Sequence, residues 1–346
     1  MRFVDLFCCA GGMTHGLVLA GHEHIAGVEI DPVVADAYAQ NHGTVVCRDI
    51  ADVSADELSD LAGPQGIDLI AASPPCQSFS MMRDDHTSAS PSDLLFRHAI
   101  RLAAGVHARV IVMENVPAMA HKRLTQLPGA PRALDQILDE MRDAGFAHQR
   151  WGVLKAEEYG VPQKRRRLFI VAAREAADCP TIWPPPPPAG QQEGATPLSL
   201  RHHMEQGITR ATHPHLYLSD RIVRCILAMR ARYGRETGRC RVLKLDAVAP
   251  TVIANCWTNS GWGMIQCNTD GSLCSDGNHN GQICYRKLSV TEAKRLQSFP
   301  DDYIVPTAGA RSKPYSCIGN AVPPLLAKAV GECIRGAARL GITVNH

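Results

Sequence analysis

Among the thirteen cysteines of this 346-residue chain, Cys76 has distinctive neighbours: residues 71–80 read A-A-S-P-P-C-Q-S-F-S. Pro74 and Pro75 fix the backbone and cannot continue a sheet, so the thiol leaves the preceding apolar run at a defined point. A thiol held that way is a candidate nucleophile; the plainer alternative is a buried, inert cysteine beside a turn. Glu114 ends the apolar run V-I-V-M-E. A carboxyl at that depth is costly to ionise, which raises its pKa and suits it to giving up a proton. Arg165 and Arg167, in P-Q-K-R-R-R-L-F, stand just before another apolar run. They offer cations to a thiolate or an anionic intermediate, although a K-R-R-R run standing alone reads first as a solvent-facing stretch.

A second group of residues suits a bound nucleoside. Residues 5–17, D-L-F-C-C-A-G-G-M-T-H-G-L, join a strand pattern to a helix pattern through glycines. The turn is not G-x-G-x-x-G and lacks the phosphate-loop lysine, which disfavours a phosphate cradle and a nicotinamide cofactor. S-Adenosylmethionine carries no phosphate, and glycines let backbone approach its amino-acid end. Glu29 follows the second apolar run, where an acidic side chain takes ribose hydroxyls. Asp49 stands at an equivalent place after the third, where it also reads as a simple cap.

These residues require a frame that gathers them. Apolar strand patterns recur as R-F-V-D-L-F, H-I-A-G-V-E-I, T-V-V-C-R-D-I, D-L-I-A-A-S, A-R-V-I-V-M-E-N and R-L-F-I-V-A-A, with helical patterns between the first five. The alternation predicts a parallel α/β sheet covered by helices on both faces, with ligands outside the C-terminal ends of the strands. The candidate residues fall at those ends. Five consecutive prolines at 184–188 mark a stiff spacer and a domain boundary. Beyond it, residues 201–244 carry ten Arg and Lys against three acidic residues, in a chain whose net charge is +2. Such a local block suits a nucleic-acid face as readily as a solvated surface. The pattern predicts helices in S-D-R-I-V-R-C-I-L-A-M-R-A-R-Y, in L-S-V-T-E-A-K-R-L-Q-S-F with a capping box from Ser289 to Glu292, and from the prolines of V-P-P-L-L to the end. Residues 254–284 read as turns and short strands.

No apolar run reaches the roughly 20 residues that cross a bilayer, and no secretory signal opens the chain, so reduced cysteines and a cytoplasmic location are expected. Cys256, Cys267, Cys274 and Cys284, with His279 near, contain no C-x-x-C pair and are read as free thiols, with no metal expected.

Taken together, the motifs carry a resemblance. From residue 3 to 333 the chain resembles the DNA (cytosine-5)-methyltransferases. The matching stretches, in the family's order, are D-L-F-x-x-A-G-G (5–12), V-E-I-D (28–31), P-P-C-Q (74–77), E-N-V (114–116), Q-x-R-x-R (163–167), R-x-L-x-x-x-E-x-x-R-L-Q-x-F-P-D (286–301) and G-N-A-V-P-P (319–324). Each alone is weak; seven in order are specific. One departure stands out: the family usually has glycine where this chain has Cys9, a side chain able to crowd the cofactor.

The resemblance implies a Rossmann-like S-adenosylmethionine-dependent methyltransferase sheet plus a smaller, irregular target recognition domain. The catalytic domain is expected over 1–183 and 306–346, and the recognition domain and hinge over 184–305. Cys76 is implied as nucleophile toward cytosine C6, Glu114 as the group on N3, and Arg165 with Arg167 as stabilisers of the activated base. Phe7, Ala10, Gly11, Gly12, Glu29, Ile30, Asp49, Ile50, Pro75, Asn320 and Val322 are implied around S-adenosylmethionine. Gln77, Ser78, Ser80, Arg221, Arg224, Thr251 and Asn255 are expected at DNA. The implied partners are double-stranded DNA and, in a paired system of a prokaryote or phage, a cognate restriction endonuclease; a monomer is expected. The family's tRNA-methylating branch is the nearest rival, but its C-F-T sequence is not found here. A catalytically silent DNA-binding relative is the other, and such relatives lose the cysteine or glutamate motif.

Overall fold

The computed structural model describes residues 1–75, 94–123, 131–188, 198–233, 243–254, 265–267, 273 and 284–341. Eleven strands and nine helices are found among them. In order they are β1 (Arg2–Leu6), α1 (Gly12–Leu19), β2 (Glu23–Glu29), α2 (Pro32–His42), β3 (Val45–Cys47), α3 (Ala55–Ala62), β4 (Leu69–Ala72), α4 (Phe96–Gly105), β5 (Val110–Asn115), α5 (Ala133–Asp143), β6 (His148–Lys155), β7 (Gln163–Lys164) and β8 (Arg166–Ala173). Then follow α6 (Asp220–Tyr233), β9 (Ala249–Pro250), β10 (Ile265–Cys267), β11 (Cys284–Arg286), α7 (Val290–Leu296), α8 (Lys313–Asn320) and α9 (Pro324–Gly341).

The main sheet has seven strands in the order β3-β2-β1-β4-β5-β8-β6. The pairs from β3 through β5 are parallel. The expectation of an all-parallel sheet is corrected by β8, which runs antiparallel to both neighbours. It returns directly from β6 without a crossover helix, and a short return connection reverses strand direction. Its residues are apolar on both faces, so composition could not reveal that reversal.

The alternation along each strand divides the core. Val4, Leu6, Ile70, Ala72, Ile111 and Met113 face one side, with α3, α4 and α5 packed on them. Phe3, Leu69, Ala71, Val110 and Val112 face the other, against α1 and α9. Each fully buried Leu, Ile, Val or Phe contributes about 1.5–3 kcal/mol, which is what offsets the entropy of ordering these elements. Leu326, Ala327 and Val330 of α9 share that core with Phe3 and Leu17, so the end of the chain folds back onto its beginning as the motif order implied. A third core joins Leu200, Leu245, Val252, Ile265, Leu296, Phe299 and Ile318 to Ala10 of the first turn.

Local signals account for the helix starts. Asp31 caps α2, accepting from the amides of Val33 and Val34. Ser54 caps α3 through the amide of Glu57, and Ser289 and Glu292 form the expected capping box on α7. Among the described residues, no helix is long and apolar enough to cross a membrane.

Candidate active site

A cavity of about 400 Å³ opens at the C-terminal ends of β1, β2, β4 and β5. That edge is where ligands bind in sheets of this kind. Of the residues implied for the cofactor, Phe7, Gly12, Glu29, Ile30, Asp49, Ile50, Pro75, Asn320 and Val322 line it. Ala10 and Gly11 do not; they lie behind the turn. There the Tyr303 hydroxyl donates to the Ala10 carbonyl at 2.5 Å and pairs with His42 Nε2 at 2.7 Å. Gly11 has φ +82° and precedes α1. At Gly12 a Cβ would sit 2.0 Å from the Val322 carbonyl oxygen, so glycine is what lets the last motif close against the first.

The turn is held from below. Glu29 accepts the Cys9 amide at 3.0 Å on Oε2 and the Asp31 amide at 2.9 Å on Oε1. Each carboxylate oxygen retains a further lone pair for a ligand hydroxyl. Asp49 lines the cavity and also caps the short 3-10 turn Ile50–Asp52 through the amide of Ala51. Ile30 is 63% exposed, an apolar side chain held at the cavity mouth. Beneath the turn, buried Asp5 accepts the Thr14 hydroxyl at 2.6 Å. Burial pushes its carboxyl up to about 7, against the opposing pull of that hydrogen bond. Carboxylate acceptors, apolar walls and a close-approach turn fit the ribose, base and amino-acid end of S-adenosylmethionine.

The opposite wall carries the other chemistry. Glu114, from the end of β5, is 6% exposed and meets Arg167 Nε at 2.9 Å through Oε1. Both line the cavity. Burial raises the Glu114 pKa, and the charges of Arg167 and Arg165 oppose that rise. Asn115, beside it, donates from Nδ2 to the Pro74 carbonyl at 3.0 Å and so ties β5 to the segment entering Cys76. Pro74 and Pro75 line the same cavity. Cys76, Gln77, Ser78 and Ser80 lie outside the described residues, as does Asn255.

Arg165 and Arg167 are two residues apart yet serve different neighbours. Arg165 is fully buried and donates to the carbonyls of Val252 at 2.9 Å, Gly319 at 3.0 Å and Ala321 at 2.9 Å. The chain bends at that point, leaving the β7–β9 pair for β8 of the main sheet. Gln163, which sequence reasoning did not single out, works with it. Its Oε1 accepts the Val252 amide at 2.8 Å, and its Nε2 donates to the Leu296 carbonyl at 2.7 Å and to Gln297. Three distant segments, around Val252, Leu296–Gln297 and Gly319–Ala321, therefore converge on the Q-x-R part of one motif. Tyr303 was also missed. In the sequence Gln163 is marked only as the first residue of the matched Q-x-R-x-R stretch, and Tyr303 only by its nearness to the matched F-P-D.

Thr251 donates to the Lys164 carbonyl at 2.5 Å, next to β9. Arg221 and Arg224 are exposed on α6, the helix expected within the basic block. Cys267 and Cys284 are buried and face each other across the β10–β11 pair. Cys256, Cys274 and His279 lie outside the described residues. Among the described residues, no three His, Cys, Asp or Glu side chains gather as a metal site.

The chain is similar to known proteins over nearly its whole length. It is 27% identical to the Type II methyltransferase M.XorII of Xanthomonas oryzae pv. oryzae, covering 97% of this chain and 85% of that protein. It is 28% identical to the Type II methylase M.HgiDII of Herpetosiphon aurantiacus, covering 96% and 94%. In fold it is similar to a Spodoptera frugiperda DNMT2 mutant, with a TM-score of 0.70, 17% identity and coverage of 96% and 99%. The S. pombe Dnmt2 methyltransferase gives a TM-score of 0.68 at 17% identity, covering 98% and 99%. The model of the C-5 cytosine-specific DNA methylases matches residues 1–336, so the chain belongs to that family of S-adenosylmethionine-dependent DNA (cytosine-5-)-methyltransferases.

Proposed function

We propose that this enzyme methylates C5 of a cytosine flipped out of a specific duplex sequence, through a covalent bond between Cys76 and C6. The observation that carries the reading is the shared cavity. Glu114, Arg167, the Pro74–Pro75 lead into Cys76 and the cofactor-side residues Glu29 and Asp49 all border it. A base inside a duplex cannot reach such a cavity, so the target must leave the stack.

C5 of cytosine is a poor nucleophile. Attack of the Cys76 thiolate at C6 makes the ring an enamine, nucleophilic at C5. Glu114, whose pKa burial raises, hydrogen-bonds or protonates N3 so that negative charge does not accumulate on the ring. Arg167 orients that carboxyl through its 2.9 Å contact. Arg165 acts on the site from further back: its guanidinium ties two backbone segments through three carbonyls, and its charge reaches Glu114. When bound, S-adenosylmethionine supplies an electrophilic methyl group. Loss of the C5 proton then releases the thiol and restores the ring.

In this reading residues 1–183 and 306–346 form the catalytic domain, and 184–305 recognise the target. Gln77, Ser78, Ser80, Arg221, Arg224, Thr251 and Asn255 are the proposed DNA contacts. The exposure of Arg221 and Arg224 supports a phosphate-facing role for α6. Names of the Type II relatives support a cognate restriction endonuclease as system partner. A cytoplasmic monomer is the form proposed.

The test is methyl transfer from tritiated donor to duplex DNA and to tRNA, with wild type and Cys76→Ala. Incorporation into DNA alone, abolished in Cys76→Ala, is expected. Retained turnover without the thiol would sink the covalent route, and incorporation into tRNA would move the substrate to RNA. Bisulfite sequencing of DNA from expressing cells then reads the target site.

A further inference from the structure

Cys9 is the residue of the cofactor turn that the proposed reaction leaves unused. Its φ is +47°, in the left-handed region where a side chain is strained and glycine is not. Such strain is a cost, and it points to a use for the side chain held there. Cys9 lines the cavity. Its Sγ lies 3.8 Å from the carbonyl oxygen of Cys317, a residue 308 positions away on α8. The two side chains lie near enough to influence each other's ionisation. That proximity raises the Cys9 pKa and lowers that of Cys317, and the charge of Lys313 lowers Cys317 further. Just beyond Cys317, residues Gly319 to Val322 form part of the cavity wall. The two sulfurs thus stand where the first and last motifs meet, on opposite sides of one seam.

We propose that Cys9 and Cys317 are an oxidisable thiol pair whose disulfide weakens binding in the methyl-donor cavity. The oxidant class is a hydroperoxide, small enough to enter the cavity, which Cys9 lines and buried Cys317 does not. The Cys9 thiol gives up its proton, and the thiolate attacks one peroxide oxygen. The O–O bond breaks, hydroxide leaves and takes the proton as water, and Cys9 becomes a sulfenic acid. The Cys317 sulfur then attacks the Cys9 sulfur; the S–S bond forms, and the departing hydroxide leaves as water with the Cys317 proton. Two thiols lose two electrons, and one hydrogen peroxide becomes two waters. A reducing dithiol reverses the bond by exchange.

A disulfide is only about 2.05 Å long, shorter than any contact between thiols, so closing it draws the turn toward α8. The Cys9 amide is pinned to Glu29, and Gly12 packs on the Val322 carbonyl. Pulling the turn therefore disturbs both walls that hold the donor. By linkage, a bound donor opposes oxidation to the same extent. The inference rests on reading this cavity as the donor site, and the experiment separates the two.

The full-length protein is reduced, then treated with hydrogen peroxide. Intact mass, non-reducing peptide mapping and calorimetric binding of S-adenosylhomocysteine are recorded before and after. These readouts do not depend on Cys76 chemistry. The expected result is a Cys9–Cys317 cross-link and about tenfold weaker binding, reversed by dithiothreitol. Cys9→Gly, which relaxes the strained φ, and Cys317→Ala should each keep their affinity through the peroxide step. Recovery of Cys9 and Cys317 in separate peptides after oxidation would overturn the proposal, as would a cross-link that leaves affinity unchanged. Absence of binding by the reduced wild type would overturn the cavity assignment and the inference with it.

Discussion

Among the described residues, two glutamates are buried against arginine, one in the cavity wall and one in the segment leading back to it. Glu292 meets Arg286 through both oxygens, at 2.8 Å each, with the two side chains almost wholly out of water. Oε2 also accepts the Ser289 amide at 2.9 Å, and Oε1 the Glu205 amide at 3.0 Å. Glu114 meets Arg167 at Oε1 and otherwise faces the cavity. Burial is the largest influence on its titration and raises its pKa, against the charges of Arg167 and Arg165. Desolvating a carboxylate is costly in both places. Where every lone pair is answered, the pair becomes a fixed joint. Where the answers are incomplete, the residual cost appears as a raised pKa, which is a chemical resource.

Glu114→Gln breaks the resource and should have the largest effect. We expect methyl transfer to fall by about 10²–10⁴-fold, the range for loss of a positioned proton donor. The glutamine is isosteric, so melting temperature and duplex affinity should change little. A single-turnover assay beside fluorescence anisotropy measures both. Lost DNA binding with an intact rate would make Glu114 a structural residue and erase the contrast.

Glu292→Gln breaks the joint. It leaves the Arg286 charge buried without a counter-charge, at an expected cost of about 3–5 kcal/mol. That is a large part of the usual 5–15 kcal/mol of a folded domain. Chemical denaturation should report it, with activity per folded molecule preserved. A variant that is fully stable but slow would place Glu292 on the wrong side of the comparison.

Arg167→Gln is the finer test of the cavity pair. The Arg167 charge opposes the rise that burial imposes on Glu114. Removing it raises the Glu114 pKa further. If the protonated carboxyl is the active form, the alkaline limb of the pH–rate profile moves to higher pH, whatever happens to the maximal rate. A limb that stays in place would separate Glu114 from the pH dependence.

The same contrast marks what the sequence makes legible. Glu114 was readable because a charged residue ending V-I-V-M-E violates the apolar pattern. The cavity residues were readable because they sit where apolar runs stop. Q-K-R-R-R looks uniform, and nothing local signals the bend that sends Arg165 to three carbonyls and Arg167 to Glu114. β6 was missed because an edge strand with half its residues exposed, H-Q-R-W-G-V-L-K, lacks the apolar run of the inner strands. α8 was missed because K-P-Y-S-C-I-G-N carries proline and glycine within eight residues. Its conformation comes from packing of Tyr315, Cys317 and Ile318 into the third core, not from propensity.

Ser289→Ala should have the smallest effect and probes the edge of the joint. The Ser289 hydroxyl accepts the Glu292 amide at 3.1 Å and donates to Glu205 at 2.7 Å, outside the Arg286 contact itself. Alanine removes the cap but leaves the carboxylate its arginine and both amide donors. The expected loss is about 1 kcal/mol, within the usual 0.5–2 for an N-cap serine. It should appear as a slightly lower denaturation midpoint, with methyl transfer unchanged below the transition. The reason is redundancy: four hydrogen bonds fix the Glu292 carboxylate, and this variant touches none of their donors. A fall in rate at unchanged midpoint would mean that α7 transmits position to the cavity through its cap, by way of Gln297 and the Ala321 carbonyl it contacts at 2.5 Å. The joint would then belong to the machinery that aligns Glu114, and the division between the two glutamates would be one of distance and not of kind.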